Sequence, residues 1–247
     1  MSKRNALITG GARGIGASTA KMLAQDGYRV IINYVNSVNI AENLVDEIVH
    51  HGGEAYAIQA DVRNDAQLEV MFARIDAEFG GVDILVSNAN MHFVAQPFSS
   101  LSWQDFSQKL NDEMHAAFMS AQIATQHMKK RQFGRIVFVS STLSEMPAPN
   151  FVAHGTAKGA LDSFCKYLAQ ELGPEGITVN IVAPGLVETD ATKDAPAEFK
   201  DVIREHTPVR RIATPDDVGN TIRFLASEAS RHITGVYVPV SGGAYMP

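Results

Sequence analysis

Short apolar bursts alternate along this chain with longer stretches in which apolar positions recur every three or four residues. That rhythm predicts strands alternating with amphipathic helices. Strands are expected at Ala6–Thr9, Arg29–Asn33, Ala55–Gln59, Ile84–Ser87, Arg135–Ser140, Thr178–Val182 and Gly235–Pro239. Helices are expected at Ile15–Gln25, at Ile40–His50 before the Gly52-Gly53 stop, and at Gln67–Phe79, Asp105–Lys130 and Thr156–Leu172. A further helical region precedes the last strand. The order predicts an α/β fold with a doubly wound, mostly parallel, seven-stranded sheet and helices on both faces. No Pro/Gly/Ser-rich linker or internal repeat interrupts it, so residues 1–247 read as one domain. Residues 186–207 have weak periodicity and lie just past a strand end, the usual place for a loop that covers a ligand. They are expected to form a substrate lid.

Composition narrows the class. The 247 residues include 21 Lys+Arg and 27 Asp+Glu, a net charge of −6, with 45% hydrophobic and 19% charged residues. This is the balance of a folded soluble protein. The acidic excess argues against a nucleic-acid partner and a polybasic membrane anchor. No apolar run approaches the roughly 20 residues that span a bilayer. A single cysteine, Cys165, excludes an internal disulfide framework and suits a reducing compartment. Its place on an apolar stripe with Leu161 and Leu168 marks it as a buried hydrophobe. The first residues lead directly into a strand, without a secretory segment, and a cytoplasmic location is expected.

Candidate chemistry begins after the first strand, at Thr9-Gly10-Gly11-Ala12-Arg13-Gly14-Ile15-Gly16. Glycines there allow a tight turn and let a pyrophosphate approach the helix N-terminus. The spacing is neither G-x-G-x-x-G nor a Walker loop. An acidic residue closing the second strand would grip a free ribose 2′-hydroxyl. This chain has Asn33-Tyr34-Val35-Asn36-Ser37 instead, and Arg13 supplies a cation. NADP(H) is therefore expected in preference to NAD(H), with Asn33, Ser37 and Arg13 among its contacts. Asp61, followed by Val62, is placed either to meet an adenine edge or to cap the following turn.

These residues resemble the short-chain dehydrogenase/reductase family, and within it the 3-oxoacyl-[acyl carrier protein] reductase-like group. The resemblance spans nearly the whole chain. It rests on Thr9, Gly10, Gly14 and Gly16, Asp61-Val62, Asn88-Ala89, Gly134-Arg-Ile-Val, Ser140-Ser141, Lys158-Gly-Ala-Leu, Val179-Asn180, Pro184-Gly185 with Thr189, and the Gly242–Met246 ending. It implies a Rossmann-type fold, assembly as a homotetramer or homodimer, and carbonyl–alcohol chemistry on a small molecule. It also implies that Gly10, Arg13, Gly14, Ile15, Gly16, Asn88, Ala89 and Asn90 line the cofactor channel. Pro184, Gly185, Val187 and Thr189 would hold the nicotinamide end. Lys158 would bond the nicotinamide ribose, and Ser141 would polarise the substrate carbonyl.

Three positions depart from the family pattern. The tyrosine expected thirteen residues after Ser141 is His154, in His154-Gly-Thr-Ala-Lys158, and no tyrosine lies nearby. Gapless alignment back from Phe118 puts Glu113 where the family has an asparagine, with Asn111 on another face of the helix. The family's Asn-Asn-Ala-Gly reads Ser87-Asn88-Ala89-Asn90. An imidazole titrates near 6.5 and serves as acid or base. Its ring nitrogen, however, reaches about 2 Å less far than a phenol, so transfer calls for a bridging water or a shifted substrate. His154 is read either as a proton carrier or as a substrate contact or vestigial polar side chain. Glu113 is read either as an ion-pair partner of Lys158 or as a relay or general base.

Met91, His92, Phe93, Leu143, Glu145, Met146 and Phe151 are expected in the pocket wall. Arg204, Arg210 and Arg211 would attract an anion or serve helix ends. His92, Glu113 and His154 do not have the spacing of a local metal motif, and no metal is expected. The leading reading is an NADP(H)-dependent oxidoreductase with non-standard proton delivery. The alternatives are a redox-inactive nucleotide-binding or interaction protein of the same fold, and a non-redox lyase or isomerase using His154 and Glu113.

Overall fold

In the computed structural model, which describes residues 3–247, seven parallel strands form one sheet in the order β3-β2-β1-β4-β5-β6-β7. They are β1 Asn5–Ile8, β2 Arg29–Tyr34, β3 Glu54–Gln59, β4 Ile84–Ser87, β5 Gly134–Val139, β6 Ile177–Pro184 and β7 Tyr237–Val240. The helices are α1 Gly14–Gln25, α2 Val38–His50, α3 Asp65–Phe79, α4 Trp103–Arg131, α5 Val152–Leu172, α6 Ala197–His206 and α7 Pro215–Ala226. The expected doubly wound α/β sheet is therefore present.

Central strands of a parallel sheet must be apolar on both faces, and β1, β5 and β6 are buried throughout. Side chains alternate across the sheet, so Leu7, Ile31, Leu85, Ile136 and Phe138 pack under α3, α4 and α5. Ala6, Ile8, Ile32, Val86 and Val137 pack on the other face with α1, α2 and α7. The strand order reverses between β1 and β4, which opens a crevice at their carboxyl ends.

Local chemistry accounts for most element ends. Ser102 caps α4 by accepting from the Asp105 N–H at 3.0 Å, so that helix begins at Trp103, ahead of the expected Asp105. Thr214 and Asp217 form a capping box that starts α7, with Pro215 at its first turn. The expected helix at Thr156 begins instead at Val152. Gly155 lies inside α5, and a Cβ there would come within 2.8 Å of the Leu143 carbonyl oxygen. Its missing side chain serves packing, and His154 and Lys158 consequently share one continuous helix. The helical region before β7 resolves into two elements, α6 and α7. Among the described residues, no helix is long and apolar enough to cross a membrane.

Candidate active site

At the β1–β4 crevice a latch of hydrogen bonds holds the glycine turn. Thr9 Oγ1 accepts from the backbone N–H groups of Asn88 and Ala89 at 3.0 and 3.1 Å. Asn88 Nδ2 returns bonds to the Thr9 and Gly10 carbonyls, both at 3.0 Å. Gly10 has φ +59°, and a Cβ there would sit 3.0 Å from Ala89 Cα. At Gly16 a Cβ would lie 2.8 Å from Asn88 Nδ2, Gly10 O and Gly11 Cα. Side chains are thus excluded from a cradle that opens onto the N-terminus of α1, whose first-turn N–H groups have no partner within the helix. Ile15 is half-buried in that first turn.

Across the cradle, Pro184 closes β6 and the Gly185 N–H donates to Val240 O at 3.2 Å. Val187 is buried and bridges to Ala213, and Thr189 stands close to Gly14, where a Cβ would lie 3.2 Å from Thr189 Cγ2. The expected nicotinamide-end residues and the glycine turn therefore face one another.

On the adenosine side the residues divide. Asn33 is fully buried and works inside the fold, donating to Ala60 O at 2.8 Å and accepting from Gly10 N at 3.3 Å. Arg13 is exposed and has no ion-pair partner among the described residues. Ser37 precedes α2 with a hydroxyl that makes no cap bond. Asp61 accepts from the Arg63 backbone N–H at 3.0 Å and pairs with its guanidinium at 2.7 Å. These bonds hold the carboxyl below its usual range. These contacts make Asp61 a cap of the following turn and leave it at the rim of the cradle, where the adenine-edge reading stays open. The Val62 side chain is buried in the core.

The catalytic candidates meet around Glu113. Its Oε1 accepts from Lys158 Nζ at 2.6 Å, and Lys158 also donates to Val139 O at 2.8 Å. Its Oε2 accepts from Lys109 Nζ at 2.6 Å and from the Met91 N–H at 3.3 Å. Lys109 is wholly buried and further donates to Asn90 Oδ1 at 2.9 Å and Met91 O at 2.8 Å. Burial alone would raise the Glu113 carboxyl, but Lys158 and Lys109 overcome it and hold it at about 2. Glu113 is therefore a fixed anion. Burial pulls the Lys109 ammonium below its usual range, against the pull of Glu113, yet its three acceptors satisfy three N–H donors.

His154 lies one turn before Lys158 on α5, 7% exposed, and its Nδ1 has no hydrogen-bond partner. Its ring stacks on Phe93 with centroids 4.5 Å apart, and Phe93 also meets Phe151 at 5.9 Å. Burial, reinforced by Lys158 and Lys109 and opposed by Glu113, pushes the imidazole down to about 3. It is neutral throughout the physiological range. Ser141, half-buried, caps a short 3-10 turn by accepting from the Leu143 N–H at 3.2 Å.

Other candidates lie apart from this cluster. Asn111 is exposed on another face of α4 and His92 is exposed. Arg211 is tied to Asp217 at 2.5 Å, Arg204 pairs with Asp201, and Arg210 donates to Glu205 O. Cys165 is buried, its thiol pushed up to about 12 by burial. Lys109 is the residue that sequence reasoning missed. Its only local signal is the four-residue spacing to Glu113, which ordinarily marks an exposed helical pair.

A parallel sheet with a side-chain-free cradle at its switch point, and a buried lysine beside it, defines a dinucleotide-binding architecture of the doubly wound class. Comparison with known proteins narrows this. A family described as Enoyl-(Acyl carrier protein) reductase matches residues 10–245. The chain is 35% identical to a 3-oxoacyl-[acyl-carrier-protein] reductase of Staphylococcus epidermidis over 98% of this chain and 99% of that one. The corresponding reductase of Synechocystis is also 35% identical, over 98% and 96%. A solved structure from Agrobacterium tumefaciens, provisionally described as a gluconate dehydrogenase, superposes with a TM-score of 0.93 at 32% identity, over 98% of this chain and 96% of that one. The chain belongs to the short-chain dehydrogenase/reductase family of NAD(P)-dependent oxidoreductases.

Proposed function

We propose that the protein is an NADP(H)-dependent oxidoreductase that interconverts a carbonyl and an alcohol on a small molecule, with proton delivery that does not use a phenol. The observation that carries this reading is the cradle of Gly10, Gly14 and Gly16, latched by Thr9 and Asn88 and facing Thr189. Bound nicotinamide supplies or accepts hydride. Gly10, Gly14, Ile15 and Gly16 admit the pyrophosphate, while Asn88, Ala89, Asn90, Pro184, Gly185, Val187 and Thr189 flank the nicotinamide end. The exposed Arg13, the free Ser37 hydroxyl and the lack of a carboxylate after β2 favour a 2′-phosphate. Asn33 and Val62 contribute through their backbone and the shape of the floor, and Asp61 stands at its rim.

In the catalytic centre Ser141 is placed to polarise the carbonyl. Lys158 donates two N–H groups to Glu113 and Val139, which leaves a third for the ribose or the developing oxyanion. His154 stands where the family carries tyrosine. As a neutral imidazole it would orient a water through a hydrogen bond, and that water would give the alkoxide its proton, the resulting hydroxide being neutralised by exchange with solvent. Glu113, clamped between two ammonium groups, is a poor base, which weighs against a lyase or isomerase that depends on it. Residues 186–207, which include α6, act as the substrate lid of a single 1–247 domain. Exposed Phe118 and Tyr167 on α4 and α5 suit a homodimer or homotetramer. The setting is cytoplasmic.

Titration with NADPH and NADH, followed by nucleotide fluorescence, tests the reading. Micromolar binding with NADPH preferred about tenfold or more is expected. Millimolar or absent binding of both nucleotides overturns it and leaves an interaction protein of the same fold.

A further inference from the structure

Glu113 introduces a charge into the catalytic centre that would cancel that of Lys158, and the structure holds a device that restores it. We propose that Lys109 is a positioning residue whose buried ammonium compensates Glu113, keeping the centre at a net charge of +1 so that Lys158 still acts as a cation toward bound nicotinamide.

The geometry supports this directly. Glu113 gives one oxygen to each lysine at the same distance, 2.6 Å. With Lys109 and Lys158 positive, Glu113 negative and His154 neutral, one positive charge remains in a region whose charged side chains are almost entirely excluded from water. Lys109 spends its three N–H donors on Glu113, Asn90 and Met91, so it has none left for a ligand. Lys158 spends two and keeps one. The two lysines divide the work: Lys109 neutralises and anchors, and Lys158 faces the site.

Two of the three departures from the family pattern thereby become one arrangement. Asn90 and Glu113 are both ligands of the Lys109 ammonium. The third, His154, feels the same charge: burial keeps its imidazole neutral, and Lys158 and Lys109 add to that. Lys109 Nζ also lies 5.5 Å from the centre of the Phe93 ring, which stacks on His154, so the same side chain supports the wall of the site.

The proposal rests on the reading of the cradle as a nicotinamide nucleotide site, and its test needs no substrate. Oxidised nicotinamide carries a positive charge and reduced nicotinamide does not, so the ratio of dissociation constants for NADP+ and NADPH reports the charge of the centre. Removing one buried charge with Lys109→Met should tighten NADP+ relative to NADPH by about fivefold or more. Lys109→Gln, which keeps polar contacts to Asn90 and Met91, should shift the ratio the same way and stands in if the methionine variant does not fold. Lys109→Arg keeps the charge and should leave the ratio within about twofold of wild type. Equal weakening of both nucleotides in all three variants, or no change in any, would mean that Lys109 only supports the fold and would overturn the proposal. Wild-type protein that binds neither nucleotide defeats the cradle reading first, and this inference with it.

Discussion

The proposed nucleotide cradle and the proposed catalytic centre adjoin, yet they are held by opposite means. The cradle is built from what is missing: at Gly10 and Gly16 there is no room for a Cβ, and the surrounding bonds run mostly between backbone groups and two short polar side chains, Thr9 and Asn88. The centre is built from what has been added, with long charged side chains from α4 and α5 converging on one carboxylate. Backbone geometry tolerates little change, so the cradle keeps the family pattern. A charge network tolerates exchange as long as its sum is maintained, and the three positions read from the sequence as departures, Asn90, Glu113 and His154, lie in or beside it.

The sharpest break in that comparison comes at Glu113. Glu113→Leu leaves Lys109 and Lys158 buried without their shared anion, and should cost about 3–5 kcal/mol in urea unfolding at neutral pH. Glu113→Leu combined with Lys109→Met removes the excess charge and should recover a large part of the loss. Additive losses in the double variant would show that the two side chains do not act as a pair.

A smaller effect is expected in the cradle, where the change is steric. Gly16→Val places atoms against Gly10 O and Asn88 Nδ2, and should cost about 1–3 kcal/mol of stability. NADPH affinity should fall by about tenfold or more, because the β1–β4 latch must shift. Unchanged NADPH binding in folded Gly16→Val protein would remove the cradle from the nucleotide site.

The same contrast explains what was legible in the sequence. Strand periodicity, the glycine turn and the Lys158 neighbourhood are local patterns, and each was readable where it stands. The start of α5 at Val152, ahead of the expected Thr156, has no such local mark, because the glycine at 155 answers to the Leu143 carbonyl from another turn. Lys109 was missed because its burial depends on Asn90 and Met91, nineteen and eighteen residues earlier, which no helical spacing reveals. Asp61 shows its turn-capping partner, Arg63, only in three dimensions, and its adenine-edge reading remains a proposal. The ion pair of Glu113 with Lys158 was among the expected readings. The depth of its acidity was not, because that requires the second lysine.

The most graded of these effects concerns His154, where the two regions meet. Its imidazole is held at about 3 in the fold, against about 6.5 for an unperturbed histidine. Below about pH 6.5 the unfolded chain therefore takes up a proton that the folded chain refuses, so this contribution to stability is complete above that pH and declines as the pH falls toward 3. The slope should approach 1.4 kcal/mol per pH unit once the pH is well below about 6. Glu113 adds a loss of the same sign, but only below its ordinary value of 4.5. His127, also lowered by burial, contributes in both proteins compared and cancels between them. Between pH 7 and 5, His154→Phe should therefore lose stability less steeply than wild type, with the aromatic stack on Phe93 preserved. Parallel curves for the two proteins would mean that His154 protonates near 6.5 in the fold. It would then be able to act as an imidazolium donor in the ordinary sense, against what the burial of its ring and the two neighbouring lysines imply.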